Sequence, residues 1–287
     1  MVSGWWLVGE RVAPGKALGK CGNSGRSPVP HLHLQMQASD RLGSPTIPFI
    51  LCQYVEGQGA ERRYRTAGLP AAGSRVRPVL FDETMTSCFD MVIGRRLRYR
   101  LRDGGEREET LTVTVDDTGA YVFTAPAAGA VLTARILHKV WYVLDYRERR
   151  RSLLRDFWLG LSRCPLTTED GLRWTERLDP APLLPPPLRV LLDLAAPFTA
   201  FPEIVVEHVL TTCRGRVGGG EALARIATTV TAPRGLAWAL RGTPRRVELT
   251  LGPHHGILGG SVVRGDGTRV EIERLEELEL QPAGRAG

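Results

Sequence analysis

Apolar and polar side chains alternate with a period of two over much of the chain, the pattern of strands with one buried and one solvated face. Leu97, Tyr99 and Leu101 alternate with Arg96, Arg98, Arg100 and Arg102, which predicts a half-buried strand carrying a comb of arginines. Such a comb reads as a solvated face that also discourages edge pairing. Residues 110–115 and 120–124 flank Asp116-Asp117-Thr118-Gly119, a hairpin signal. Residues 131–146 are a long β-prone run in which His138 shares parity with Ile136, Val140, Tyr142 and Leu144, so His138 is expected as a satisfied core residue.

The same alternation returns later. Ile204–Thr212 with His208 inside it, then 221–230, 236–240, 247–251, and the pair 261–263 and 269–272 around Asp266-Gly267, extend an antiparallel series. Residues 179–187 contain five prolines and read as a loop. The stretch through Trp158 and Trp174 is ambiguous between strand and helix, and core packing is the expected role of both rings. Gly218-Gly219-Gly220 and Pro253-His254-His255-Gly256 read as turns, the first without the strand-then-helix setting of a phosphate loop.

Near the N-terminus stands Pro30-His31-Leu32-His33-Leu34-Gln35. In an extended strand His31 and His33 share one face, about 6.6 Å apart, while Leu32 and Leu34 point the other way into a core. Upstream, Val12, Gly15, Leu18 and Gly19 set out a glycine hairpin, and Gly22, Ser24 and Gly25 a turn that delivers the chain to the histidine strand. Together with Pro30, His31 and His33, this run resembles the C-terminal half of the catalytic domain of lysostaphin/LytM-type zinc metallopeptidases, over residues 9–51.

The resemblance implies zinc-dependent hydrolysis of peptidoglycan peptides in the bacterial periplasm or cell envelope. His33 maps onto the zinc ligand and His31 onto the catalytic histidine that acts on the substrate or the attacking water. A catalytic zinc site needs three protein ligands and an open position for water. The family takes two further ligands from a His-x-x-x-Asp motif, but the residues four beyond His138, His208, His254 and His255 are Tyr142, Thr212, Leu258 and Gly259. The chain is therefore expected to be N-terminally incomplete and inactive as given, with zinc bound only if the missing ligands are supplied. The alternative is a non-catalytic envelope-binding or regulatory protein with a degenerate LytM domain.

Composition narrows the partners. Net charge is +7, yet all but three (Lys16, Lys20 and Lys139) of the 38 basic residues are arginine, scattered among 31 acidic ones. An electrostatic footprint for nucleic acid is clustered, so nucleic acid is not an expected partner. Five separated cysteines form no Cys-x-x-Cys pair and are expected as buried free thiols. No apolar run is long enough for a membrane span. The expected organisation is mainly β: a partial LytM-like antiparallel sheet in residues 1–55, a linker over 56–77, and a β-rich domain of unknown fold over 78–287.

Overall fold

The segment around Trp158 resolves as a helix whose sequence leaves it nowhere to go but inside. Helix α2 (Leu153–Leu161) buries every residue except Arg155. A helix that is apolar nearly all round requires cover on all sides. The computed structural model describes residues 9–13, 16–17, 19–23, 28–30, 35–41, 43–197, 201–240 and 242–275, and the chain divides into two compact units, 1–51 and 52–287.

In the first unit a short hairpin pairs β1 (Met36–Gln37) with β2 (Thr46–Ile47) antiparallel, and the Ala38 amide donates to the Pro45 carbonyl at 3.1 Å. Of residues 44–51, only Thr46 and Ile47 enter this pairing.

The second unit is built on one sheet. Its strands in chain order begin with β3 (Leu51–Glu56), β4 (Arg63–Gly68) and β5 (Val76–Pro78), followed by the short helix α1 (Glu83–Ser87). Next come β6 (Arg96–Arg102), β7 (Glu106–Val115), β8 (Tyr121–Ala125), β9 (Ala130–Leu137) and β10 (Val140–Arg147). After α2 follow β11 (Arg163–Pro165), β12 (Arg173–Leu178), α3 (Pro186–Ala195) and β13 (Ile204–Thr212), with β14 (Arg216–Val217) and β15 (Gly220–Glu221) forming a separate small hairpin. The last are β16 (Ala224–Thr231), β17 (Pro244–Gly252), β18 (Gly256–Arg264) and β19 (Arg269–Arg274). Fifteen of these strands form one sheet, in the order β11-β10-β9-β8-β7-β6-β19-β18-β17-β16-β13-β12-β4-β3-β5. Neighbours from β11 to β12 run antiparallel, and β12 meets β4 in parallel at Arg173 and Arg63.

α2 packs against β9 and β10 and also against β16 and β17. In a flat sheet β9 and β17, six strand spacings apart in this order, would be separated by about 29 Å. An α-helix is only about 10 Å across. The sheet therefore curls around α2. Its edge strand β11 comes round to β12 and β4, where the Trp174 indole donates to the Arg163 carbonyl at 3.0 Å and Arg163 Nη1 donates to Thr66 Oγ1 at 2.8 Å.

The entry of α2 is satisfied by a buried carboxylate. Ser152 caps the helix by accepting from the Leu154 amide at 3.1 Å, and Glu109 on β7 accepts from the Leu153 amide at 3.0 Å and from the Ser152 hydroxyl. These bonds answer orphan N–H groups of the first turn with a negative charge, which the helix dipole favours. At the other end Gly160 lets the helix lie directly on the sheet: a Cβ there would stand 2.7 Å from Leu249 Cδ1 and 2.9 Å from Val247 Cγ1.

Several expectations are corrected. Residues 56–77 are not a structureless linker, because they carry β4 and most of β5, and Tyr64 is buried. Glu56 pins this stretch by accepting from the Ala71 amide at 2.7 Å, Arg65 Nε at 2.8 Å and Ser74 Oγ at 2.9 Å, and these bonds hold its carboxyl down to about 2. The arginine strand β6 is half-buried as expected and lies inside the sheet between β7 and β19; its comb is met by Glu108 (Arg98 at 2.6 Å), Glu106 (Arg102 at 2.9 Å) and Glu273 (Arg102 at 3.0 Å). His138 lies not on an apolar face but exposed in the two-residue turn between β9 and β10, where His138 and Lys139 take φ of 48° and 62° as such tight hairpins require. Residues 236–240 form no strand, being a short 3-10 turn and its continuation. Within 179–187 a helix begins at Pro186, a position where proline's missing N–H costs nothing.

Val247 and Leu249 are fully buried and have no room to retreat. Gly160→Ala is expected to destabilise the protein by about 1–2 kcal/mol, because overpacking outweighs the gain in helix propensity. Denaturant unfolding checks this, and an unchanged or raised midpoint would show that α2 does not sit tightly on β17.

Candidate functional site

The predicted pair His31 and His33 lies outside the described residues, as do Gly15, Leu18, Ser24 and Gly25 of the same run. Among the described residues no three His, Cys, Asp or Glu side chains gather as a metal site. What the structure does assemble is a buried polar cluster across the curled sheet, between β4, β10, β11, β12, β13 and β16.

Its positions follow from strand parity. On β12, Trp174 and Glu176 point inward, and on β13 so do Ile204, Val206, His208 and Leu210. The register sets Trp174 opposite His208 and His208 opposite Thr228. The indole and imidazole rings stack at 4.9 Å between centroids with 19° between planes. His208 is fully buried, and its Nδ1 lies 2.8 Å from Thr228 Oγ1, whose own proton goes to the Gly160 carbonyl at 3.3 Å. A hydroxyl has one proton to give, so Nδ1–H donates to Thr228 and the neutral ring presents a bare Nε2. Burial pushes the His208 pKa down to about 3, with the Gly160 carbonyl opposing the shift and the positive charge of Arg163 adding to it.

Glu176 is the acidic member. Burial raises its carboxyl to about 7, against the pull of Arg163, Ser162 and Trp174. Arg163 Nε stands 3.9 Å from Glu176 Oε1, and the guanidinium lies 4.9 Å over the Tyr142 ring. A carboxyl that titrates near neutrality beside a guanidinium is able to exchange a proton in the physiological range. Asp156 in α2 is a second buried carboxyl, raised to about 6 by burial and restrained by Arg151, whose Nη2 is 3.3 Å away, and by Arg155 and Arg264.

An apolar cavity of about 30 Å³ adjoins α2, walled by Phe89, Phe123, Trp141 and Phe157, with Met91 and Gly256 also in its lining. It has room for about one water molecule, and its lining is almost wholly apolar. Burial pushes the Cys88 thiol up to about 12 and Cys164 well above its ordinary value, so neither supplies a thiolate. Both were expected as buried free thiols; Cys21 and Cys52 are instead exposed.

His208 was placed within its strand by the sequence pattern, without its facing being assigned, and Glu176, Arg163 and Asp156 were not singled out by sequence reasoning. The parity of Glu176 with Trp174 was the available signal. No protein-family model matches the chain, and no curated protein matches it.

The two titrating neighbours act on stability in opposite directions. The folded pKa of His208, about 3, is depressed from 6.5, so its contribution is present above pH 6.5 and is lost as pH falls toward 3. The folded pKa of Glu176, about 7, is raised from 4.5, so its contribution is present below pH 4.5 and is lost as pH rises through 7. His208→Gln is expected to lose less unfolding free energy than wild type between pH 6.5 and 4, and Glu176→Gln less between pH 4.5 and 8. Parallel pH profiles for wild type and both variants, from urea unfolding, would contradict the assigned environments.

Proposed function

We propose that this chain is a peptidoglycan-directed protein of the LytM peptidase type, in which His31 and His33 belong to a zinc metalloendopeptidase site that is completed where further ligands are supplied. One observation carries the reading: the ordered run of Val12, Gly15, Leu18, Gly19, Gly22, Ser24, Gly25, Pro30, His31 and His33. His33 is assigned as the metal ligand and His31 as the catalytic residue.

Two imidazoles suit zinc in kind but fall short of the three protein ligands a catalytic site requires. The chain's sequence offers no His-x-x-x-Asp motif beside them. No hydrolytic step is therefore assigned to the chain by itself; it recognises peptidoglycan peptides without cutting them. That shortage of ligands favours a second reading, a non-catalytic envelope-binding or regulatory protein with a degenerate LytM domain.

The protein is expected to sediment with insoluble peptidoglycan, to release no soluble peptides from it, and to hold well below one zinc per chain after dialysis. Failure to sediment would contradict the peptidoglycan reading, and stoichiometric zinc with hydrolysis would contradict the incomplete site. In a form extended to carry the two missing ligands, His33→Ala should lose both zinc and hydrolysis, whereas His31→Ala should keep most of the zinc and lose hydrolysis. Equal loss of zinc in both variants would remove the division of roles; retention of zinc and activity in both would remove the site.

A further inference from the structure

Where β11 reaches β4 and β12, four buried polar atoms close no full hydrogen bond among the described residues: the Tyr64 hydroxyl, Ser162 Oγ, Arg163 Nε and Glu176 Oε1. Tyr64 is 2% exposed, Ser162 5% and Glu176 8%. One buried polar group left dry already costs a measurable share of a protein's stability margin, and four in one place are not tolerable without partners.

The four atoms belong together. Arg163 Nε is 3.9 Å from Glu176 Oε1, beyond a direct hydrogen bond. The Tyr64 hydroxyl leans toward Thr66 and feels the charges of both Arg163 and Glu176, and the Ser162 hydroxyl leans toward the Glu176 carboxyl, neither closing a full hydrogen bond. The far side of Arg163 is already committed, with Nη1 donating to Thr66 Oγ1 at 2.8 Å and its carbonyl accepting from the Trp174 indole at 3.0 Å. The side chains are thus held with complementary capacities: Nε gives a proton, the carboxyl oxygen carries lone pairs, and the two hydroxyls do either. The nearby positive and negative charges offset one another, and His208 is neutral, so the site selects a neutral ligand with both donors and acceptors.

We propose that roughly one or two ordered water molecules bridge Arg163 Nε to Glu176 Oε1, with the hydroxyls of Tyr64 and Ser162 completing their hydrogen bonds. The curled sheet then closes at this point through water and side chains in place of a backbone ladder. The inference is independent of the peptidase reading, since no residue of 9–51 enters it.

Oxygen-17 magnetic relaxation dispersion, which counts waters held for long residence times, tests it on the full chain. Glu176→Leu should hold at least one such water fewer than wild type, while Glu176→Gln, which keeps a hydrogen-bonding oxygen, should match wild type. Equal counts in wild type and Glu176→Leu overturn the proposal. If Glu176→Leu does not fold, a crystal structure of the wild-type protein decides. A water peak within hydrogen-bonding distance of Arg163 Nε and Glu176 Oε1 supports the site. A direct bond from Tyr64 or Ser162 to Glu176 with no peak between, or a bound ion there, overturns it.

Discussion

The larger unit depends on one enclosure, the wrapping of a fifteen-stranded sheet around the nine-residue helix α2. Everything else in it answers a need created by that burial. The helix enters with unpaired N–H groups, so Glu109 is carried inward on β7 to meet them. It runs so close to β17 that only glycine fits at position 160. Its aromatic residues find partners on opposite walls, with Trp158 stacked on Tyr146 at 5.0 Å and Phe157 edge-on to Tyr99 at 5.4 Å. Burying a helix in a sheet's concave face also brings charged groups into the interior. Arg151, Arg155, Asp156 and Glu148 neutralise one another at the helix entrance, where an unpaired ion would cost far more than the pair.

Much of this was legible in the sequence, and the limits have physical causes. The alternation through Arg96–Arg102 and Ile204–Thr212 identified strands because each has one solvated and one buried face. Residues 56–77 were misread because short strands rich in Arg, Gly and Ala show little periodicity; what orders them is Glu56 gathering three donors, a non-local device. His138 was misread because alternation continues through a two-residue turn, and neither His nor Lys marks that turn as Asn-Gly would. The place of β6 inside the sheet was not legible because strand order is set by long-range pairing, here with β19 from the far end of the chain. The buried acids were least legible of all, since a lone Glu or Asp in a sequence does not announce the arginine that will face it.

The peptidase-like run of residues 9–51 carries the proposed recognition of peptidoglycan peptides, on residues whose types and order are the argument. The larger unit carries buried groups with shifted pKa values, Glu176 near 7 and His208 near 3, whose positions follow from strand parity and the closure of the sheet. Those shifts arise from the way the interior was filled. They make the fold's stability, before any activity, sensitive to proton concentration.

The central structural claim is that α2 cannot leave the sheet without the sheet coming apart. Native-state hydrogen exchange tests it most directly. Amides of residues 157–161 in α2 are predicted to exchange with the same opening free energy as those of β16 and β17, equal to that of global unfolding. Exchange of the α2 amides at a distinctly lower free energy, while β16 and β17 stay protected, would contradict the account.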